Sequence, residues 1–130
     1  MTAPMNAQAP RVLVVEDDFL VRDMIVHEMA LAGFEVLDAA NAEAALKLAA
    51  GIDRLDLLFT DIRLPNMNGW QLAEKIRGRY PQAPVIYASG YSERMMLLPR
   101  SKFLQKPYVP SQVFKAAAEF GIKPPNPPAY

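Results

Sequence analysis

Four groups of polar residues could do chemistry in this sequence, because each follows directly on a short apolar run that predicts a buried strand. In chain order these groups are Glu16-Asp17-Asp18, Asp61, Ser89 and Lys106. If the apolar runs are parallel strands of one sheet, their carboxyl ends share one edge and the four groups converge there. Such a site contains carboxylates that can bind a cation, together with a hydroxyl and an amine that can hold an anionic group.

The acidic residues predict a metal site. Two like charges about 4 Å apart repel by about 4 kcal/mol at an effective dielectric near 20, and a divalent cation relieves that repulsion. A ligand set made only of oxygen, without His or Cys, favours Mg²⁺, with Ca²⁺ or Mn²⁺ as alternatives.

With a metal bound, these residues suit phosphoryl transfer. Asp61 is the predicted nucleophile, because it lies centrally among the strand ends and a carboxylate can form an aspartyl phosphate. Lys106 would supply the cation that faces the phosphoryl oxygens, and Ser89 the hydroxyl donor.

The elements that must position these residues alternate along the chain. The apolar patterns predict strands over 12–15, 34–39, 55–61, 85–88 and 103–105, and helices over 19–32, 41–50, 70–79 and 110–120. Strands that alternate with helices predict an α/β fold, a parallel sheet covered on both faces and linked by right-handed crossovers.

Composition narrows the class of protein. With 130 residues, 52% of them hydrophobic, the chain can bury the core of one domain, and its 14 basic and 14 acidic residues give no field that would attract nucleic acid or a membrane. No cysteine is present, and no apolar run reaches the roughly 18–20 residues of a membrane helix. We expect a cytoplasmic protein with a flexible leader over 1–10, one domain over 11–121 and a proline-rich tail over 122–130.

Over about residues 11–120 the chain resembles the receiver domain of two-component response regulators. The motifs that carry the resemblance are Val14-Val15-Glu16-Asp17-Asp18, Asp61-Ile62-Arg63-Leu64-Pro65-Asn66-Met67-Asn68-Gly69, Ala88-Ser89-Gly90 and Lys106-Pro107. Each motif alone is weak, but all four in order at strand ends are specific. The resemblance implies a flavodoxin-like, doubly wound, five-stranded parallel sheet.

The resemblance also implies a phosphorelay. Asp61 would take a phosphoryl group from a phosphohistidine on a sensor histidine kinase or a histidine phosphotransfer protein. Asp17 would contact Mg²⁺ directly and Glu16 through water, with the main-chain carbonyl of Arg63 as a further ligand. Ser89 and Lys106 would bind the phosphoryl oxygens, and the Lys106-Pro107 peptide would be cis.

The same resemblance implies a switch. Ser89 would be drawn toward the phosphoryl group, and Phe103, at the position of the family's switch aromatic, would fill the space it leaves. The output would be a changed surface around the fourth and fifth strands that binds an unidentified downstream protein, without direct contact to nucleic acid.

Two features depart from the family pattern or vary within it. The interval from Ser89 to Lys106 is several residues shorter than usual, so the family's fourth helix, here over Ser92–Pro99, should be short, frayed or replaced by a loop that orders on phosphorylation or partner binding. Arg63 and Tyr91 occupy positions that flank the site, and we expect them to tune the lifetime of the phosphoryl group.

Three other functions remain open from the sequence. A metal-dependent phosphohydrolase with an aspartyl nucleophile commonly carries a second aspartate two residues later, where this chain has Arg63. A flavin or nucleotide binder would need a glycine-rich loop after the first strand, where this chain has acids. A pseudo-receiver that acts only in docking would not need the full set of Glu16, Asp17, Asp61, Ser89 and Lys106.

Overall fold

The computed structural model describes residues 8–91 and 98–129. Its strands are β1 (Arg11–Val15), β2 (Glu35–Ala39), β3 (Leu57–Asp61), β4 (Val85–Ser89) and β5 (Ser101–Gln105). Its helices are α1 (Phe19–Leu31), α2 (Ala42–Ala50), α3 (Gly69–Arg79) and α4 (Pro110–Glu119). The predicted elements are confirmed, with bounds that differ by one or two residues.

The strands form one parallel sheet in the order β2-β1-β3-β4-β5. Because β3 lies between β1 and β4, the residue that ends it stands between the ends of its neighbours. All five residues of β3 and of β4 are buried, as expected for inner strands of a sheet covered on both faces. The predicted α/β, doubly wound fold is therefore confirmed.

Alternate residues of the inner strands lie in two separate hydrophobic cores, because successive side chains along a strand point to opposite faces of the sheet. On one face Val14 and Phe59 pack with α1 and α4, through residues such as Ile25 and Phe114. On the other face α2 and α3 cover the sheet with small and branched residues, among them Leu72. The helices thus pack on both faces of the sheet and hold in place the edge where the polar residues lie.

Polar caps set where the helices begin. Asp18 accepts hydrogen bonds from the backbone N–H groups of Leu20 and Val21 and so caps the start of α1. Asn41 caps α2 in the same way, by accepting from the N–H of Ala44. Capping holds the start of α1 directly beside the acidic residues of the site.

The proline-rich tail lies against α1. The backbone N–H of Asn126 donates to the carbonyl of Ala32 at 2.8 Å, and its side-chain amide donates to the carbonyl of Leu31 at 3.1 Å. These contacts satisfy carbonyls that the last turn of a helix leaves unpaired.

Two expectations concern residues beyond the described ranges. The leader prediction over 1–10 falls mainly on residues 1–7, and the prediction for the fourth helix of the family falls mainly on residues 92–97. Among the described residues, no helix lies between β4 and β5. None of the described helices is long and apolar enough to cross a membrane.

Candidate functional site

The polar residues singled out above meet at the carboxyl edge of the sheet. Asp61 is the last residue of β3 and Ser89 the last of β4, while Glu16 and Lys106 directly follow β1 and β5. Glu16, Asp61 and Ser89 are buried, each with 6% or less of its surface exposed. Buried polar groups need partners, so this edge is organised by their mutual contacts.

Lys106 joins the two buried carboxylates. Its Nζ lies 2.7 Å from Oε1 of Glu16 and 2.8 Å from Oδ1 of Asp61. Residues 90 positions apart in the sequence are therefore in direct contact. One ammonium group balances two acids, which leaves the cluster with an excess of negative charge when both acids are ionised.

The pKa of Asp61 reflects this excess. Burial and the nearby Glu16 raise it, Lys106 opposes both effects, and the resulting pKa is about 8. For Glu16, burial acts against ionisation, but hydrogen bonds with Asp61, Lys106 and the N–H of Asp18 hold its pKa below the ordinary value. Without a bound cation, Asp61 is therefore the acid of the pair whose protonated form is favoured, and a cation in the cluster would favour its ionised carboxylate.

The acidic cluster could bind a metal ion. Glu16, Asp17 and Asp61 each offer a carboxylate oxygen, and these oxygens lie within 4.8 Å of one another. Asp17 is exposed and gives the cluster access to solvent, whereas the other two acids are buried. The donor set consists of hard oxygen ligands, which fits a hard divalent cation. A cation there would offset the excess of negative charge that Lys106 leaves.

Arg22 supports the acidic cluster, a role that the sequence reasoning missed. Its Nη1 donates to the main-chain carbonyl of Glu16 at 2.8 Å, and its Nε forms an ion pair with Asp38 at 3.1 Å. Arg22 stands in α1 one turn after the cap, where its spacing from Asp18 was the available signal. The contact fixes the backbone that carries Glu16 and Asp17.

Arg63 and Tyr91 lie against each other beside the site. The guanidinium carbon of Arg63 is 4.0 Å from the centre of the Tyr91 ring, a cation–π contact. The backbone N–H of Tyr91 donates to Oγ of Ser89 at 3.1 Å, so the backbone of Tyr91 is tied to the residue that ends β4. Tyr91 remains 58% exposed.

Phe103 lies on β5, two residues before Gln105, which ends that strand at the carboxyl edge of the sheet. Its Cα pairs with that of Tyr87 on β4, while Ser89 pairs with Gln105. Phe103 is half-buried and packs against the core on the α2 and α3 side. The Lys106-Pro107 peptide is cis, as the resemblance implies.

Gly69 is a further residue of the site, which the sequence analysis named only as the end of the motif that begins at Asp61. Its N–H donates to the carbonyl of Ile62 at 2.8 Å and so closes the connection between β3 and α3. A Cβ added at this position would lie 2.2 Å from the carbonyl oxygen of Asp61. The signal in the sequence was a glycine directly after Asn68, the residue that caps α3.

The sequence pattern of the response regulator receiver domain family matches residues 12–118 of this chain. Among curated proteins, the response regulator protein FleR of Pseudomonas aeruginosa is 39% identical over 83 residues, which are 64% of this chain and 17% of FleR. The chain therefore matches less than a fifth of the length of this relative, whose remaining parts have no counterpart in the alignment.

Solved structures agree with that match. The receiver domain of the hybrid histidine kinase CckA is 33% identical, with a TM-score of 0.75 over 85% of this chain and 97% of that domain. A response regulator receiver protein from Sinorhizobium medicae is 26% identical, with a TM-score of 0.80 over 87% of this chain and 94% of that protein. The sheet order and the arrangement of helices described above are thus shared over nearly the whole length of both structures.

Proposed function

The chain belongs to the response regulator receiver domain family, and from this membership and the geometry of its site we propose that Asp61 accepts a phosphoryl group in a two-component phosphorelay. The donor would be a phosphohistidine on a sensor histidine kinase or a histidine phosphotransfer protein, both of which act in the cytoplasm. The observation that carries the proposal is the contact of Lys106 with Asp61 and Glu16 at the edge where β3 ends between its neighbours.

The proposed transfer uses the carboxylate of Asp61 as nucleophile. One of its oxygens attacks phosphorus, the phosphorus–nitrogen bond of the phosphohistidine breaks, and the electron pair of that bond returns to the imidazole. Asp61 is left as a mixed anhydride, an aspartyl phosphate. Lys106 and the Ser89 hydroxyl would hold two of the phosphoryl oxygens.

Mg²⁺ is the proposed cofactor. Asp17, Asp61 and the main-chain carbonyl of Arg63 would hold it directly, and Glu16 through water. When bound, the ion neutralises negative charge on the phosphoryl oxygens. Glu16 also keeps Lys106 in place through their 2.7 Å contact, so its contribution includes positioning the cation that faces the phosphoryl group.

The proposed switch follows from the new charge at Asp61. Lys106 would exchange part of its contact with the carboxylates for a contact with phosphoryl oxygens, and Ser89 would turn toward the same group. Phe103 is half-buried on the neighbouring strand and has no hydroxyl, so its two positions would differ in packing. The changed surface would lie along β4 and β5 and would bind a downstream protein.

Arg63 and Tyr91 are the proposed determinants of phosphoryl lifetime. The stacked pair lies beside Ser89, and the bond from the Tyr91 N–H to Ser89 Oγ links the two. A ring in this place limits the approach of water to an acyl phosphate on Asp61. Exposure of Tyr91 leaves the pair free to open for a partner protein.

The kinase or phosphotransfer protein would meet the chain next to Asp61. Phe19 and Leu20, at the start of α1, are 63% and 76% exposed, and Val109, three residues after Lys106, is 55% exposed. Large exposed apolar side chains beside a reactive group are typical of a protein-binding surface. The partner's histidine would reach Asp61 across this surface.

Labelling with a small donor tests the proposal. Acetyl phosphate with Mg²⁺ should label the wild-type chain, and Asp61→Asn should abolish the label because an amide cannot form the anhydride. Asp23→Asn, on the exposed side of α1, is the matched control and should be labelled normally. Undiminished labelling of Asp61→Asn would contradict the proposal. Repeated turnover of small phosphate esters would instead favour a phosphohydrolase, and a wild-type chain that is never labelled would favour a docking module.

A further inference from the structure

Tyr87 carries a buried hydroxyl that the site does not use. The residue lies in the middle of β4, with none of its surface exposed, and its Oη has no hydrogen-bond partner among the residues that the structure describes. Burial raises the pKa of this phenol, so the hydroxyl keeps its proton. A hydroxyl that is taken out of water without a hydrogen-bond partner destabilises the folded state. This conformation is therefore less stable than one in which the Tyr87 hydroxyl is hydrogen-bonded.

Arg77 on α3 is a donor near Tyr87, since its guanidinium opposes the effect of burial on the pKa of the Tyr87 phenol. Its guanidinium is engaged elsewhere: Nη2 donates to the carbonyls of Pro99 at 2.7 Å and Arg100 at 3.0 Å, and Nε donates to the carbonyl of Ala83. Arg77 therefore ties α3 to the backbone that leads into β5.

The backbone held by Arg77 is strained. Arg100 has a φ of +57°, in the left-handed region that a residue with a Cβ seldom adopts. Its carbonyl also accepts from the N–H of Val85 at 3.1 Å, the first bond between β4 and the chain that becomes β5. A small shift of Pro99 and Arg100 would relieve this strain, and both residues are exposed, so their carbonyls could bond to water instead.

The strained segment is linked to the residue proposed to switch. Phe103 stands three residues after Arg100 on β5, and its Cα pairs with that of Tyr87. A move of Phe103 therefore changes the packing directly beside Tyr87 and pulls on the segment that Arg77 holds.

We propose that Arg77 and Tyr87 form a latch with two states. In the unphosphorylated state Arg77 holds the carbonyls of Pro99 and Arg100, and the Tyr87 hydroxyl has no partner within residues 8–91 and 98–129. In the phosphorylated state the segment leading into β5 shifts, and Arg77 donates to Oη of Tyr87 in place of those two carbonyls. This inference rests on the proposed phosphorylation of Asp61.

Thermal unfolding of the unphosphorylated chain tests the first state. Tyr87→Phe removes the orphan hydroxyl and should raise the unfolding midpoint by about 3 °C. Tyr80→Phe is the matched control, because the Tyr80 hydroxyl donates to the carbonyl of Ile52 at 2.7 Å, and this variant should lower the midpoint by a similar amount. A midpoint lowered equally in both variants would overturn the latch, since the Tyr87 hydroxyl would then already have a partner.

Amide exchange tests the second state. After treatment with acetyl phosphate and Mg²⁺, exchange over residues 100–105 should change by about fivefold or more in the wild-type chain, and by less than about twofold in an equally labelled Tyr87→Phe chain. Equal changes in both chains, or a labelled wild-type chain without any change, would overturn the latch. A wild-type chain that is not labelled would contradict the proposed function, and the unfolding comparison would still decide the state of the Tyr87 hydroxyl.

Discussion

Gly69 packs so closely against the backbone of Asp61 that position 69 has no room for a side chain. A Cβ at position 69 would lie 2.2 Å from the carbonyl oxygen of Asp61 and 2.9 Å from the Cα of Ile62. Backbone atoms cannot yield as a flexible side chain does. The first residue of α3 therefore determines how far β3 extends and where the Asp61 carboxylate stands.

Gly69→Ala should displace Asp61. We expect a loss of stability of roughly 2–3 kcal/mol, as for an overpacked core, and a lower rate of labelling by acetyl phosphate. Gly78→Ala, in the same helix, is the control: a Cβ there meets no atom within 4 Å, so this variant should gain about 0.5–1 kcal/mol. Denaturant unfolding measures both, and a Gly69→Ala chain as stable as the wild type would contradict the argument.

Stability of the metal-free chain should depend on pH through Asp61. Its folded pKa of about 8 lies above the ordinary value of 3.8, so the folded chain keeps a proton that the unfolded chain releases as the pH rises. The protonated Asp61 stabilises the folded chain fully below about pH 4, and this contribution is lost as the pH rises through 8. Relative to Asp61→Asn, the wild type should therefore lose on the order of 5 kcal/mol between pH 4 and 8.

Chemical denaturation in EDTA across this pH range measures the difference. Asp23→Asn, an exposed acid on α1, should track the wild type at every pH. A constant difference between the wild type and Asp61→Asn would show that folding does not raise the pKa of Asp61.

Loss of the Tyr91 ring should shorten the life of the aspartyl phosphate. An exposed cation–π contact such as that between Arg63 and Tyr91 contributes about 0.5–1 kcal/mol. If this energy holds the ring over the site, the aspartyl phosphate of Tyr91→Ala should hydrolyse about two- to fivefold faster. Tyr91→Phe keeps the ring over Arg63 and should behave like the wild type. Decay of the label after removal of acetyl phosphate gives the rates, and an Ala variant as slow as the wild type would exclude shielding by Tyr91.

A charge at Leu20 should separate the two kinds of donor. Leu20→Asp should slow transfer from a cognate kinase by about tenfold or more, as at an interface hot spot, but leave labelling by acetyl phosphate unchanged. Leu31→Asp is the matched control, because Leu31 is 60% exposed at the opposite end of the same helix. If both variants slow the kinase equally, the start of α1 is not the docking surface.

The sequence was sufficient to predict the elements and the edge where they meet. Strand and helix periodicities differ, and the runs that end at Glu16, Asp61, Ser89 and Lys106 alternate with helices that can only be crossovers in a parallel sheet. This pattern brings the four groups to one edge irrespective of the details of packing. The cap at Asp18 is also a matter of local chemistry, because a carboxylate just before a helix accepts from its first N–H groups.

Contacts between distant residues were decided only by the tertiary structure. The support of Glu16 by Arg22 and the stacking of Arg63 on Tyr91 depend on the angles at which elements pack, which no periodicity encodes. The same holds for the buried Tyr87 hydroxyl, which finds no partner in the part of the chain that the structure describes. The raised pKa of Asp61 likewise depends on burial and on the distance to Glu16, and both are properties of the folded chain. Residue types and their order therefore determined which groups meet, whereas the packing of the sheet and helices determined their distances, their protonation and the partners they lack.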